Sequence, residues 1–223
     1  MHFTCDALPD DMKIAVFGAS GRIGSQVVNE ALNRGHDVTA IARHPENYTL
    51  ERPHLRVAKG DLFKTQDVEA AVFDHDAVVC AYNNTRGATP STITEIAEPL
   101  LNGLKQAHVK RLLVVGGAGS LEVSPGHQLV DMPDFPEAYK ASALAQREAL
   151  KIYQKEKEIE WTYLSPSAEI GPGERTGKFR TDINQLITDQ DGKSFISIAD
   201  FAVAVIDELE NPMHIRERFT VGY

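Results

Sequence analysis

The chain has 223 residues, enough for one α/β domain with a sizeable core. A net charge of −9 speaks against nucleic acid or an anionic membrane surface as partner, and two cysteines against a disulfide framework. No apolar run reaches the length of a membrane span, and residues 1–11 lack the basic flank and apolar core of a signal peptide. A reducing cytoplasm is the expected compartment, with residues 1–11 a loose extension ahead of a single domain over 12–223.

In chain order, Lys13–Phe17 reads as a strand that breaks into a turn with glycines at 18, 21 and 24. Apolar residues then recur at helical spacing until Gly35. Strand, glycine turn and helix in this order make a phosphate cradle. Gly18 allows the tight turn, Gly21 a close approach of pyrophosphate, and Gly24 close helix–strand packing. The free N–H groups and the positive end of the helix dipole then face the anion. Ser20, Arg22 and Ile23 complete this dinucleotide-binding loop.

Asp37–Ala42 is a second strand and Leu55–Ala58 a third. In such folds a carboxylate after the second strand holds a ribose 2′-hydroxyl, whereas an arginine accepts a 2′-phosphate. This chain has Arg43-His44 there, so NADP(H) is expected ahead of NAD(H), with Arg22 a second ligand for the phosphate. The alternative for Arg43 is a solvated loop charge. Gly60-Asp61-Leu62 is placed to meet the adenine, unless Asp61 only caps the following turn.

Asp67–Phe73, Thr92–Ala107 and Glu137–Lys157 read as helices. Asp76–Ala81 and Arg111–Gly116 are near-continuously apolar, as buried parallel strands are, and Trp161–Leu164 is a sixth strand. Ala81-Tyr82-Asn83-Asn84 and Gly116 are expected to line the cofactor, and Ser165-Pro166 to shape a nicotinamide pocket. Arg86 reads equally well as a surface ion-pairing residue. The β-α alternation implies a doubly wound, mostly parallel sheet of the Rossmann type, with ligands at the C-terminal edge of the strands.

From about residue 167 the chain is expected to form a short substrate-side cap. It contains the glycine-rich Gly171–Gly177, a helix near 182–188, a strand over 195–198, a capped helix over 200–210 and a last strand over 218–221. Arg175, Lys178 and Arg180 form a basic cluster, either a holder for an anionic substrate tail or a solvated lid.

Gly18–Gly24, Gly60-Asp61, Val114–Ser120 and Ser165-Pro166 together resemble the atypical short-chain dehydrogenase/reductases. Val115–Leu121, Pro172–Arg180 and Arg218–Tyr223 resemble, more narrowly, the NADH-flavin reductase branch, related to biliverdin-IXβ/flavin reductases. The resemblance runs from about Met12 to Tyr223. It implies an NAD(P)H-dependent reductase whose small-molecule acceptor is a flavin (FMN or FAD, as substrate rather than prosthetic group) or another flat conjugated molecule.

Conventional members of this superfamily use a tyrosine acid, a lysine four residues on, and a serine after the fifth strand. Ser120 and Tyr139 take the serine and tyrosine places, but position 143 is alanine. Tyr153 and Lys157 have the spacing, too far along their helix to matter. Flavin reduction does not need the pair, because the two rings carry the electronic burden. His127 is a candidate proton donor, or simply a surface-loop histidine. Two alternatives stay open: a carbonyl or enone reductase using Tyr139, and a non-catalytic NADP-binding redox sensor of the NmrA-like kind. The eight histidines show no metal-ligand spacing and no hydrolase elbow is present. The chain is expected to be a monomer or a homodimer.

Overall fold

The computed structural model describes residues 11–83 and 91–223; Cys5, Asn84 and Arg86 lie outside the described residues. The elements, in chain order, are β1 (Lys13–Phe17), α1 (Arg22–Asn33), β2 (Asp37–Ala42), β3 (Leu55–Lys59), α2 (Thr65–Val72), β4 (Ala77–Cys80), α3 (Thr92–Glu95) and α4 (Ala97–Gln106). They continue as β5 (Arg111–Val115), β6 (Glu122–Ser124), β7 (His127–Gln128), α5 (Glu137–Lys155), β8 (Glu160–Ser165), β9 (Glu169–Gly171), β10 (Arg180–Asp182), β11 (Phe195–Ser197), α6 (Ile198–Glu210) and β12 (Glu217–Gly222).

An eight-stranded sheet runs in the order β10-β12-β8-β5-β4-β1-β2-β3. All of its pairings are parallel except β10 with β12. The central strands β4 and β5 are buried along their whole length, which is why they lack the alternation of a half-exposed strand. Helices α1 and α6 cover one face, packing Val27, Val28, Phe201 and Val205 against Ile14, Val16 and Leu164. Helices α2, α4 and α5 cover the other, packing Val68, Leu100, Leu104 and Leu150 against Ala15, Val78, Leu112 and Trp161. This is the expected doubly wound Rossmann-type sheet. Its strand order reverses between β1 and β4, so the loops after these two strands diverge and leave a crevice at the C-terminal edge. Among the described residues, no helix is long and apolar enough to cross a membrane.

Three expectations need correction. The expected helix over 92–107 is divided at Ile96, because Pro99 cannot donate to the carbonyl of Glu95 and its ring crowds that group. No helix forms over 182–188. Asp182 Oδ1 instead accepts the N–H groups of Asn184 (2.8 Å) and Gln185 (2.7 Å), a side-chain turn that competes with helix formation. That segment pairs with β6 through Glu122 N to Asn184 O and Leu186 N to Glu122 O, both 2.8 Å. Finally, the last helix starts at Ile198 rather than Asp200, capped by Ser197 Oγ accepting from Asp200 N at 2.9 Å.

The segment after residue 167 does more than cap. It supplies β12 and β10 to the main sheet and α6 to a helical layer. A buried ion pair locks α6 in place. Arg111, at the start of β5, donates to Glu208 Oε1 (3.1 Å) on α6, and to Glu160 O (2.9 Å) and Thr162 Oγ1 (2.8 Å) on β8. Both side chains are 3% exposed, and His214 Nδ1 lies 2.8 Å from the second carboxylate oxygen.

A second anchor is Asp200, fully buried at the start of α6. Its carboxylate accepts from Thr176 N (2.8 Å), Gly177 N (2.7 Å), Thr176 Oγ1 (2.5 Å) and Tyr223 Oη (2.6 Å). Burial pushes this carboxyl up, but the hydrogen bonds from Thr176, Tyr223 and Gly177 outweigh it and hold it below the usual range. Beside it, Arg175 donates Nε (2.8 Å) and Nη2 (2.7 Å) to Glu30 on α1, lowering the Glu30 carboxyl as well.

Two outcomes are expected. Glu208→Ala strands a buried guanidinium and should cost about 3–5 kcal/mol in urea unfolding; a loss under about 1 kcal/mol would show that Arg111 is not held by this pair. Depressed folded-state carboxyls confer stability above the unfolded value and lose it as pH falls through the folded one. Wild-type stability should therefore fall progressively below about pH 4, and Asp200→Asn should flatten that acid slope while costing about 1–3 kcal/mol at neutral pH. Parallel pH–stability curves for the two proteins would contradict this.

Candidate functional site

The turn after β1 is built from glycines for distinct reasons. Gly18 has φ of +76°, and a Cβ on it would stand 2.7 Å from the carbonyl of Ala81 and 2.8 Å from Tyr82 N. A Cβ on Gly24 would stand 2.1 Å from Gly18 O, so α1 can lie against the turn only with hydrogen at this position. Gly21 meets nothing nearer than Gly18 O at 3.2 Å and keeps an open outer side. It is also the N-cap of α1, contributes no side-chain acceptor, and is followed by a first turn without acidic residues. The N–H groups of the first turn thus face outward with the helix dipole, uncapped. Ser20 and Arg22 are exposed beside them, and Ile23 is half-buried.

Around this cradle the sequence-predicted residues fall into two groups. Arg43, one residue beyond β2, is exposed like Arg22, and neither is tied into an ion pair among the described residues. Ala81 is 8% exposed, with its N–H on Phe17 O at 2.9 Å; Tyr82 is half-buried and Asn83 exposed. These residues share the crevice edge. Asp61 caps its turn, accepting from Phe63 N at 3.2 Å, and the Leu62 side chain is core, which leaves only its backbone toward a ligand. Gly116 is buried, and a Cβ there would stand 2.0 Å from the Tyr163 ring, so its smoothness serves packing from below. Ser165 and Pro166, at the end of β8, are buried. The Ser165 hydroxyl has no hydrogen-bond partner. A buried orphan hydroxyl is unfavourable unless a ligand completes it. Uncapped helix, side-chain-free cradle and a buried hydroxyl without a partner among the described residues together fit a dinucleotide.

The residues expected to do chemistry are dispersed. Ser120 is 5% exposed, and both its carbonyl (3.2 Å) and its hydroxyl (3.1 Å) accept from Arg218 Nη1. Arg218 is a residue the sequence reading did not single out. Its alternation with apolar Phe219 and Val221 sets it on the other face of the strand and carries no signal of its burial. Tyr139 is 68% exposed on the first turn of α5. One turn on, Ala143 is pressed against Gly119, where a Cβ would stand 2.7 Å from the Ala143 Cβ. His127 is exposed in the β6–β7 hairpin, with Nδ1 3.1 Å from Pro125 O. Tyr153 is 2% exposed among core residues, so the Tyr153–Lys157 spacing is structural, as expected. In the basic cluster, Arg175 is paired with Glu30 and Arg180 donates to the carbonyls of Thr188 and Tyr223, while Lys178 is exposed. Two concavities lie elsewhere, one between α4 and the end of α5, the other beside Arg180 and residues 188–191. Neither is lined by a residue of the backbone cradle.

Comparison with known proteins agrees with this geometry. An NAD(P)H-binding family model matches residues 18–212. YwnB of Bacillus subtilis is 42% identical over 213 residues, covering 94% of this chain and 98% of YwnB. A crystal structure described as a "putative exported protein" from Burkholderia pseudomallei superposes with a TM-score of 0.88 at 45% identity, covering 95% of this chain and all 100% of that one. Another, described as a "putative NADH-flavin reductase" from Streptococcus pneumoniae, has a TM-score of 0.83 at 35% identity, covering 95% and 99%. With its cradle, switch-point crevice and matched length, the chain belongs to the NAD(P)H-binding family of Rossmann-type oxidoreductases.

Proposed function

We propose that the protein is an NADP(H)-dependent reductase that passes hydride to a flavin, arriving as substrate, or to a similarly flat conjugated acceptor. The carrying observation is the alanine at position 143, one turn after Tyr139: the cofactor cradle is intact, while the lysine that would activate Tyr139 is missing. An acceptor that needs a hydride and no strong enzyme-supplied acid suits such a site. The name borne by the Streptococcus pneumoniae relative supports the same reading.

A bound nicotinamide would supply the hydride from its C4, leaving the acceptor to take it at a ring position such as flavin N5. The chain's own residues bind and orient. Gly18, Ser20, Gly21, Ile23 and Gly24 cradle the pyrophosphate, and the two exposed guanidinium groups of Arg22 and Arg43 hold the 2′-phosphate. Asp61 and Leu62 flank the adenine through backbone. Ala81, Tyr82, Asn83 and Gly116 form the crevice wall, and Ser165 Oγ donates to the carboxamide oxygen with Pro166 excluding water beside it.

Two measurements test this. In anaerobic stopped-flow, FMN should accelerate NADPH oxidation, with NADPH ahead of NADH; tight NADPH binding without any oxidation would instead favour a sensor. Arg43→Ala should weaken NADPH binding by about 1–3 kcal/mol, the range for a charge-assisted hydrogen bond, and leave NADH binding unchanged. Equal losses for both cofactors would remove the 2′-phosphate assignment.

A further inference from the structure

Beyond the cofactor cradle, a second set of polar groups lies on the α5 face of the β8–β12 pair. The register sets Tyr163 beside Arg218 and Ser165 beside Thr220. Leu164, Phe219 and Val221 pack into the core under α1 and α6, so by alternation the other four side chains stand on the opposite face. Ser165 and Thr220 are both fully buried, and neither hydroxyl has a hydrogen-bond partner. Arg218 is half-buried. Its Nη1 donates to Ser120, its Nη2 to Asn184 Oδ1 (2.5 Å), and its Nε is buried and unbonded.

Two other arginines also leave Nε unbonded, but each holds a carboxylate elsewhere on its fork: Arg111 with Glu208 and Arg147 with Asp131. Arg218 has no carboxylate within ion-pair distance among the described residues. Glu122 and Asp182 act on it only from farther away, and burial dominates, disfavouring its charged form. A half-buried cation whose nearest carboxylates, Glu122 and Asp182, lie beyond ion-pair distance, with the orphan Thr220 hydroxyl two residues along its strand, is an unfavourable arrangement for the free protein. A ligand oxygen carrying negative charge would satisfy both, with Ser165 left to the nicotinamide.

We infer that Arg218 and Thr220 form the acceptor subsite, binding the oxygen-bearing edge of a conjugated ring that becomes anionic when it takes a hydride. This inference rests on the reductase reading above. Ser165 marks the nicotinamide side, and β12 lies one strand further out, about 5 Å away, where an acceptor stacked beside the nicotinamide would present its edge. For a flavin, the hydride and its electron pair arrive at N5, and the resulting negative charge rests on the N1–C2 carbonyl locus. A guanidinium and hydroxyl donors there stabilise the product without transferring a proton. Because Ser120 Oγ accepts from Arg218, its own proton is free to be donated toward the same edge. The cation missing at position 143 is thereby supplied from β12. The subsite is closed by residues 183–186, which lean on β6 and on Arg218, so acceptor entry requires that segment to lift.

The test uses the full chain with FMN and with lumiflavin, which has the same ring and no phosphate. Thr220→Val keeps shape and removes the hydroxyl. It should weaken binding of both flavins about tenfold, the loss of one hydrogen bond, and leave NADPH binding unchanged. Without ligand its melting temperature should equal or exceed the wild-type value, because an orphan hydroxyl has been replaced by a methyl group. Arg218→Gln, which keeps a neutral polar group but withdraws the fork from Ser120 and Asn184, should weaken both flavins more strongly; if it fails to fold, Thr220→Val alone decides. Unchanged flavin affinity together with a lower melting temperature would mean that a buried water completes Thr220, and would overturn the subsite. Weakened FMN with unaltered lumiflavin would move the contact to the phosphate tail and overturn the ring assignment. A wild-type protein that reduces FMN while Thr220→Val behaves identically overturns the subsite alone. A wild type that binds neither flavin overturns the flavin reading and this assignment with it.

Discussion

The whole cofactor edge depends on three stretches of backbone meeting without side chains between them. The turn at Gly18, the start of α1 at Gly24 and the end of β4 at Ala81–Tyr82 approach so closely that a single methyl group at either glycine would force them apart. The positive φ at Gly18 turns the chain, and the contact between Gly24 and Gly18 O fixes where α1 begins. The aim of the uncapped first-turn N–H groups follows from that position. So does the crevice, because the same approach joins the two strands whose loops diverge at the switch point. A phosphate site of this kind needs no charged side chain; it needs backbone held rigidly, which the buried strands β1 and β4 provide.

A second constraint acts at the other end of the crevice. Helix α5 lies close on the 118–120 turn because Gly119 has no side chain to meet Ala143, and with alanine at 143 the helix offers Tyr139 no lysine one turn on. The positive charge near Ser120 comes from Arg218 instead, on the strand that follows β8 in the sheet. Moving the cation from helix to strand changes what it can do. On α5 it would tune a phenol. On β12 it stands among hydroxyls, beside the end of β8, and is suited to hold an oxygen rather than to activate an acid.

Much of the sheet was legible in the sequence because its information is local. Strand β2 is found over Asp37–Ala42, as its apolar pattern implied, and the glycine spacing located the cradle before any contact was known. What was not legible depends on distant partners. The expected helix over 182–188 fails because Asp182 turns the chain and β6, some sixty residues earlier, offers it hydrogen bonds. Arg175 looked available until α1 placed Glu30 against it. Arg218 looked like one more charge in a short terminal strand, since its burial is decided by the neighbours β8 and the 183–186 segment. Composition and periodicity carry no signal for such pairings, whereas a glycine at positive φ or a proline in a first turn writes its constraint into its own position.

The distribution of satisfied and unsatisfied polar groups separates scaffold from site. At the start of β5, Arg111, Glu208, Thr162 and His214 close a buried network in which the charges meet opposite charges or carbonyls. At the start of α6, Asp200 accepts four hydrogen bonds and fastens the glycine-rich segment to the domain. These networks stabilise the fold, although Arg111 Nε is left without a partner among the described residues. At the C-terminal ends of β8 and β12 the balance is reversed: two fully buried hydroxyls lack partners and a guanidinium lacks a carboxylate. Arg111 and Arg147 also leave a buried Nε unbonded, but each holds a carboxylate on its fork; Arg218 and Thr220 have no such compensation among the described residues, and the proposed acceptor oxygen is what would complete them.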